Sequence, residues 1–450
     1  MDRLHAKNGF TLRIGGRPAA TLDTPAAPRR VAAVAGRLPF LKPRLAVKPG
    51  DRVKIGSLLF ADKRRPELRF LSPGGGCVSA VNYGPRRRLQ EVVVDLDEEE
   101  EAEEFPRLDE AGLQAIDPAE LGRRIVAGGL WSLIRELPFR EPPALDRRPP
   151  AVVVFLDNLE PFHPDPRVYL AGRLERLRFG LGVLERLTGR PPVVTACSGG
   201  AETIAEVAPL LSCVVAGRYP AHDPGVLLYR RLGRPEERAA WMVAGPDLLL
   251  IAEFLQEGRH PTRRVIALGG PGASPPGHLE VRLGAPLAEL AAGREASGES
   301  LRYVAGGVLT GTAASADSFL ALPEKALTLL PEGARPGGFL EWMLPGRRKP
   351  SYSRAFLSSW RPAASYPMDC NRHGGIRACI QCAFCARVCP VDILPQLTYK
   401  AVLAGETEEA LAHGLLDCVE CGLCSLVCPS KIELLQALRQ AKEAFRAEMD

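Results

Sequence analysis

Eight cysteines near the C-terminus stand in a repeated pattern, Cys379-x-x-Cys382-x-x-Cys385-x-x-x-Cys389-Pro390 and then Cys418-x-x-Cys421-x-x-Cys424-x-x-x-Cys428-Pro429. Three thiolates from one tight loop can each grip a different iron of a cubane. The fourth, starting the next helix, points away and reaches the other cluster. The spacing therefore predicts two [4Fe–4S] clusters. One takes Cys379, Cys382, Cys385 and Cys428; the other takes Cys418, Cys421, Cys424 and Cys389. A structural zinc site needs two Cys-x-x-Cys pairs and a spacer. It leaves the third cysteine at the same step and the Cys-Pro ending unexplained. Clusters of this kind move electrons one at a time. Residues 390–417, between the copies, read as two helices, Leu394 to Ala404 and Glu406 to His413, so the tail is expected to be an α-helical ferredoxin-like domain.

The rest of the cysteine usage agrees. Nine of the 12 cysteines lie after residue 369, and the N-terminus, MDRLHAKNGF, has no apolar stretch that could act as a signal peptide. Metal is favoured over disulfides in such a chain. Cys370 reads as a spare thiol, and Cys77, Cys197 and Cys213, in or beside apolar strands, as buried and inert. The net charge is only +5 and no basic block stands out, so nucleic acid is not expected as a partner. The longest apolar runs, Ala151 to Leu156 and Val207 to Gly217, fall short of the ~20 residues of a membrane span. No direct transmembrane segment is expected.

The chain before the tail divides by pattern. Short alternating runs between Gly, Pro and Asp turns mark 1–97 as an N-terminal segment and a β domain. Its KPGDRVKIGSLLF resembles the barrel-sandwich domains that carry biotin or lipoyl groups, with Lys63 the nearest candidate for a carrier lysine. The acidic run Asp95 to Glu104 opens a stretch, 98–120, read as a solvated linker. Residues 121–260 read as a wound α/β domain. Its helices are expected at Leu121 to Leu137, Arg167 to Leu187, Ala201 to Leu211 and Asp247 to Glu257, and its strands at AVVVFLD, PVVTAC and CVVAG. No G-x-G-x-x-G follows any of these strands. A β-rich domain with one helix is expected over 261–345, a Pro- and Arg-rich connector over 346–368, and the ferredoxin-like domain over 369–450. Outside the tail the best polar candidates are Glu160 and His222. Both sit just after predicted strands, where open α/β sheets bind ligands; loop capping is the alternative for each.

Several long segments, among them VKPGDRVKIGSLLFADKRRPELRFLSPGGG, GGLWSLIRELPF, AGGVLTGTAA, WMLPGRRKPSYSRAFLSSW and VDILPQLTYKAVLAGETEEALAHGLLDCVECGLCSLVCPSK, resemble the NqrA family of the Na⁺-translocating NADH:quinone reductase. That family is related to the RnfC family of the Rnf complex and to the flavin-carrying subunit of respiratory complex I. The resemblance implies a multidomain α/β fold: barrel-sandwich-like β domain, wound α/β domain of the complex I flavin-subunit type, β-grasp domain, and 2[4Fe–4S] ferredoxin. This chain departs from NqrA in keeping all eight cysteines, in which it is similar to RnfC. The Rnf-type glycine-rich loop for flavin and NADH falls near Ala127-Gly128-Gly129-Leu130-Trp131, where only two glycines stand. Asp157, Glu160 and Pro161 echo the acidic NADH-side loop of the wider family, which makes Glu160 the candidate cofactor-binding residue.

The resemblance implies an electron-relay subunit of a membrane-bound, ion-pumping redox complex. It would be peripheral on the cytoplasmic face of the inner membrane and partnered by integral-membrane and other subunits. Its acceptor would be a quinone such as ubiquinone. Flavin or NAD is not expected to be tightly bound, and the chain is not expected to hold a complete active site alone. Two other readings stand beside this one. An Rnf-like subunit would exchange electrons between ferredoxin and NAD; an assembly subunit would use its clusters structurally.

Overall fold

The structure, a computed structural model, describes residues 1–38, 41–232, 239–298, 300–333, 360, 365–372 and 374–449. Most of the expected connector, 346–368, lies outside these residues.

A six-stranded sheet organises the middle of the chain. Its order is Asp2–Ala6, Cys213–Gly217, Val193–Cys197, Val152–Phe155, Trp241–Ala244 and Arg135–Glu136. The first five strands run parallel and the last is antiparallel. Val152, Val153 and Val154 are buried, as is every residue of Trp241–Ala244, which is what a sheet covered on both faces requires. On one face lie the helices Pro118–Ala127, Leu174–Thr188 and Gly245–Glu257. They close a core around Trp131, Leu177, Leu184, Trp241 and Ile251. Asp117 caps the first of these helices, its carboxylate accepting from the Ala119 and Glu120 N–H groups. Gly189 and Gly258 end the other two in the left-handed region at φ 73° and 63°, where a side chain would strain the backbone. Each fully buried Leu or Ile in this core contributes roughly 1.5–3 kcal/mol.

The other face is covered by the helix Pro224–Leu232 and by the cysteine-rich tail. Val153, Val215, Val226 and Leu227 pack there with Cys389, Val391, Ile393 and Val419. The tail is thus built onto the sheet.

Before the central sheet, two small sheets face each other. One is ordered Arg30–Val34, Leu89–Leu96, Gly76–Tyr83, Arg52–Val53, the other Pro43–Leu45, Leu58–Asp62, Arg69–Leu71. They enclose Val31, Leu59, Phe60, Val78 and Val92. Lys63 is exposed just after Leu58–Asp62, its N–H donating to the Lys42 carbonyl at 2.7 Å. After the central sheet comes one ordered Thr312–Ala314, Leu301–Ala305, Ala326–Pro331, Arg263–Gly269, Gly277–Arg282, Leu22–Asp23, with the helix Leu287–Ala291 against it.

Several expectations need correction. Within 1–97 the N-terminal segment pairs outside the β domain, Asp2–Ala6 with the central sheet and Leu22–Asp23 with the sheet after it. The acidic run is not a free solvated linker. Asp95 and Leu96 end a strand, and the following residues are strapped to the body. Glu100 takes the Gly75 N–H at 2.7 Å and the Arg282 guanidinium at 2.6 Å. The backbone of Glu101 and Glu103 bonds both sides of Ile55. The helix expected over Leu121 to Leu137 stops at Ala127, because Gly128 and Gly129 follow and the chain turns into a single 3₁₀ turn at Trp131–Leu133. Arg167 to Leu187 is two helices, Pro166–Tyr169 and Leu174–Thr188, divided at Gly172, whose φ is +69°. Ala201 to Leu211 is two 3₁₀ turns, since Pro209 carries no N–H to continue a helix. The central strand Trp241–Ala244 and the helix Pro224–Leu232 were not expected at all.

Candidate metal centres and the cleft beside them

Both cysteine loops are wound the same way. The residues on either side of the second cysteine are left-handed in each copy: Gln381 and Ala383 (φ 54° and 58°), Glu420 and Gly422 (φ 57° and 77°). So is the third residue after the fourth cysteine, Asp392 (53°) and Lys431 (60°). Left-handed non-glycine residues cost energy. Alternating right- and left-handed residues turn successive N–H groups inward, which makes a concavity suited to anions and iron–sulfur groups. The N–H groups do meet sulfur here. Val391 and Ile393 aim theirs at Cys389, Leu423 at Cys421, Ser425 at Cys424, and Ala386 and Gln396 at Cys385. A short helix carries the third cysteine of each copy, Phe384–Val388 and Leu423–Leu426. The fourth cysteine follows this helix, Cys389 as its cap and Cys428 one residue past the cap Val427, rather than starting the next, which begins at Pro395 or Leu434.

Cys389 belongs spatially to the second copy. It shares an apolar cluster with Cys418 and Cys421, and Cys421 and Cys424 each feel both Cys418 and Cys389. Burial pushes the Cys389 thiol up to about 12 and those of Cys418, Cys421 and Cys424 above their ordinary value. Thiols so buried need a cation to become thiolates. Cys379, Cys385 and Cys428 pack together around Ile432 and Leu434, with Cys382 beside Cys385. Among the described residues no three His, Cys, Asp or Glu side chains close on one point as a single ion would need; a cubane gives each thiolate its own iron and requires no such convergence. The donor chemistry, the inward N–H groups and the burial fit iron–sulfur clusters.

The second loop and the end of the first motif are pinned to the body through their own carbonyls. Tyr219 Oη donates to the Cys421 carbonyl at 2.8 Å, Arg140 to the Val419 carbonyl at 3.0 Å and to Asp223 at 2.9 Å. Asn8 and Arg230 hold the Cys389 and Pro390 carbonyls at 3.0 and 2.8 Å, and both also bond Asp392 at 2.8 Å. Lys442, 2% exposed, donates to the carbonyls of Pro138 and Cys418 and to Glu420 at 2.9, 3.1 and 2.8 Å. Burial alone would raise the Glu420 carboxyl, but Lys442, Arg140 and Arg439 hold it down to about 2.

A cleft of about 520 Å³ opens beside this loop. Its walls are the strand ends Phe155 to Asn158 and Ala244, the turn holding Tyr219 and His222, the loop Ala305–Thr312, and Glu420 and Cys421. Such a position, at the carboxyl ends of parallel strands, is where open α/β sheets receive ligands. Glu160 and His222 both line it. Glu160 is 3% exposed and its oxygens are engaged: Leu309 N–H at 2.6 Å, Thr310 N–H at 2.8 Å and Thr310 Oγ1 at 2.6 Å all donate to it. It latches the sheet to the loop across 150 residues. Asp157 is similarly occupied by the N–H groups of Cys197 and Ala201 at 2.7 and 3.0 Å, and burial raises it to about 6. His222 sits between Phe155 and Tyr219 with no partner on Nδ1, and burial lowers it to about 4, so the ring is neutral. Gly128 and Gly129 lie elsewhere, filled by neighbours. A Cβ on Gly128 would stand 2.4 Å from the Phe254 ring, and one on Gly129 would stand 2.7 Å from Leu71. Sequence reasoning missed Tyr219, Arg140 and Lys442, whose partners lie far along the chain.

Family models match four successive stretches of the chain. The NqrA N-terminal barrel-sandwich hybrid domain matches residues 4–97, the NqrA second alpha/beta domain 116–260, the NQRA C-terminal domain 265–316, and the 4Fe-4S dicluster domain 378–432. The NqrA subunit of the Na(+)-translocating NADH-quinone reductase of Yersinia pseudotuberculosis is 33% identical over 412 residues, 91% of this chain and 92% of its own length. That of Rhodopirellula baltica is 33% identical over 419 residues, 91% and 90% of the two chains. Among solved structures, an NAD+-reducing [NiFe]-hydrogenase in its H2-reduced state aligns at TM-score 0.39 and 13% identity over 74% of this chain and 64% of its own. On the identity shared across nine-tenths of its length, the chain belongs to the NqrA family, with a 4Fe–4S dicluster domain at its C-terminus.

Proposed function

We propose that this chain is the electron-relay subunit of a membrane-associated, Na⁺-translocating NADH:quinone reductase, passing electrons through two [4Fe–4S] clusters towards quinone. The observation that carries this reading is the shared winding of the two cysteine loops, with Cys389 seated among Cys418, Cys421 and Cys424 beside the cleft. One cluster would be held by those four cysteines, the other by Cys379, Cys382, Cys385 and Cys428. A bound cluster supplies one-electron exchange. The chain's own residues set its conditions. Val391, Ile393, Leu423 and Ser425 offer N–H groups to sulfur, Lys442 adds a buried cation beside Cys418, and the packing of Val391, Ile393 and Val419 keeps water away. N–H donors and a nearby cation both favour the more reduced, more negative state.

The finer fold assignments belong to the same reading. A β-grasp domain is supported by Gly277–Arg282, Arg263–Gly269, Ala326–Pro331 and Leu301–Ala305 lying in that order, with a parallel central pair and Leu287–Ala291 across it. The central sheet's five parallel strands, with a cleft at their carboxyl ends, are compatible with the complex I flavin-subunit type. Tight binding of flavin or NAD is not proposed: Phe254 and Leu71 fill the space at Gly128 and Gly129, and Asp157 and Glu160 already accept backbone N–H groups. Among the described residues no helix is long and apolar enough to cross a membrane. By likeness to the subunits of the Na(+)-translocating reductase, the proposed station is peripheral, on the cytoplasmic face, held by integral-membrane partner subunits.

Anaerobically prepared chain is expected to hold about eight irons and eight sulfides, and Cys389→Ser about half of each. Stoichiometric zinc without iron would overturn the reading. The size of the cleft favours one second reading, an Rnf-like subunit exchanging electrons with NAD. Micromolar NADH binding in a calorimetric titration, lost in Glu160→Ala, would select it.

A further inference from the structure

The two cysteine loops are wound alike but placed differently. The second faces the body, whereas the first lies open. Ile376, Arg377, Ala378, Ile380 and Gln381 are exposed around Cys379, with Ile376 62% and Ile380 68% accessible. Two large aliphatic side chains flanking a half-buried ligand cysteine have no packing role in the described chain. The exposed charged residues that flank them in the chain, Arg377 and Arg387, are basic. The Arg387 guanidinium lies 5.5 Å from the Phe384 ring centroid, and Lys400 is exposed on the next helix. Within residues 371–404 the single acid is Asp392, bound by Arg230 and Asn8. Glu433, opposite, is taken by Arg372. The acids Glu406, Glu408 and Glu409 stand beyond the far end of Pro395–Ala404.

We infer that this face docks an acidic one-electron carrier protein, which seats on Ile376 and Ile380 and exchanges an electron with the set Cys379, Cys382, Cys385 and Cys428. The inference rests on the ligand sets proposed above. A small apolar patch flanked by basic side chains suits a transient redox encounter: long-range attraction orients the partner, and brief dry contact brings the centres close. One electron leaves the reduced carrier and arrives at the outer cysteine set; no bond is made or broken and no proton is required. A basic carrier would be repelled by Arg377, Arg387 and Lys400.

The test uses the full chain, loaded with iron and sulfide, and an acidic 2[4Fe–4S] ferredoxin as probe, with cytochrome c as the basic one-electron control. Interferometry is expected to show saturable ferredoxin binding that weakens about tenfold or more when salt rises from about 50 to about 300 mM, and no tighter binding of cytochrome c. R377E/R387E is expected to lose about tenfold or more, mainly in association rate. I376S/I380S should lose a few-fold in dissociation rate. Iron content and circular dichroism should be unchanged in both variants. Absence of saturable ferredoxin binding, binding indifferent to R377E/R387E, or preference for cytochrome c would overturn the docking face. Wild-type chain that holds no iron would instead overturn the proposed function.

Discussion

Replacing Lys442 by Met tests whether the buried ammonium fastens the tail to the sheet. The Met side chain keeps the aliphatic stem, so the apolar contacts of a residue only 2% exposed are largely retained. What is lost is one charge with three acceptors: the Pro138 and Cys418 carbonyls at 2.9 and 3.1 Å and Glu420 Oε1 at 2.8 Å. Removing one partner of a buried ion pair costs about 3–5 kcal/mol. Glu420 keeps Arg439 at 3.1 Å and the field of Arg140, which places the pair's share at the lower end or below it. Each stranded carbonyl adds about 1 kcal/mol. With the pair's share at about 1–3 kcal/mol and two carbonyls, the sum is about 3–5 kcal/mol against docking of the tail, more than a hundredfold in the docked-to-undocked ratio. Anaerobic urea titration of the loaded chain, followed by cluster absorbance, is expected to show the midpoint about 1–3 M lower. The exposed control Lys400→Met should move by less than about 0.5 kcal/mol. Because Glu420 loses its closest cation but keeps Arg439, K442M/E420Q should cost less than the sum of the two single variants. A K442M midpoint equal to wild type, or a double variant weaker than the single by the full cost of a second loss, would refute the reasoning.

Three further outcomes are expected. Glu420, held at about 2 against its ordinary 4.5, contributes stability that is complete above pH 4.5 and lost as pH falls towards 2. Asp157, raised from 3.8 to about 6, works oppositely, its share being complete below 3.8 and lost as pH rises through 6. Difference curves of stability against pH for E420Q and D157N should locate these two windows. Gly128→Ala should destabilise by about 1–3 kcal/mol in thermal unfolding, since its Cβ meets the Phe254 ring at 2.4 Å, while Gly375→Ala, in open space, should be near neutral. Glu160→Ala leaves the Leu309 and Thr310 N–H groups without their acceptor. Hydrogen exchange at these two amides should accelerate by about 10-fold or more.

What could be read from sequence was local. The cysteine spacing, the apolar run Val152–Phe155 and the helices between the motifs all declare themselves within a few residues, because loop winding and burial on both faces each act over that distance. Some misses were local too. Pro209 inside Ala201–Leu211 and the pair Gly128-Gly129 inside Leu121–Leu137 were visible stops whose weight was outvoted by apolar periodicity. The others were not visible. Nothing in Asp95–Glu104 announces that Arg282 will reach Glu100 or that Ile55 will pair with Ala102. Glu160 carried a signal as a polar residue after a strand, but the turn at Leu309 and Thr310 that takes its carboxylate is 150 residues away. Trp241–Ala244 is a four-residue strand with no alternation to mark it, and only its neighbours Val152–Phe155 and Arg135–Glu136 make it one.

The same long-range bonds explain why the two loops, so alike in winding, have different surroundings. Tyr219, Arg140, Arg230, Asn8 and Lys442 come from widely separated stretches of chain, and all end on Val419, Cys421, Cys389, Pro390, Cys418 or their immediate neighbours. Asn8 and Arg230 hold the end of the first motif, Cys389 to Asp392, whereas beside Cys379 the bonds run to the second motif: Arg377 N–H meets the Ser430 carbonyl and Ser430 Oγ meets the Ala378 carbonyl. The inner set, Cys389 included, is therefore fixed by the body, and the stretch around Cys379 by the second motif. A disturbance of the central sheet at Tyr219 or Arg140 must reach the inner cysteine set before the outer one. Tyr219→Phe is accordingly expected to change the spectroscopic signature and midpoint potential of one cluster only, the one assigned to Cys389, Cys418, Cys421 and Cys424. Redox titration of the loaded chain followed by electron paramagnetic resonance would measure this. Equal shifts in both clusters would mean that the loops are held as one rigid block and that the inner and outer positions are not electrically distinct.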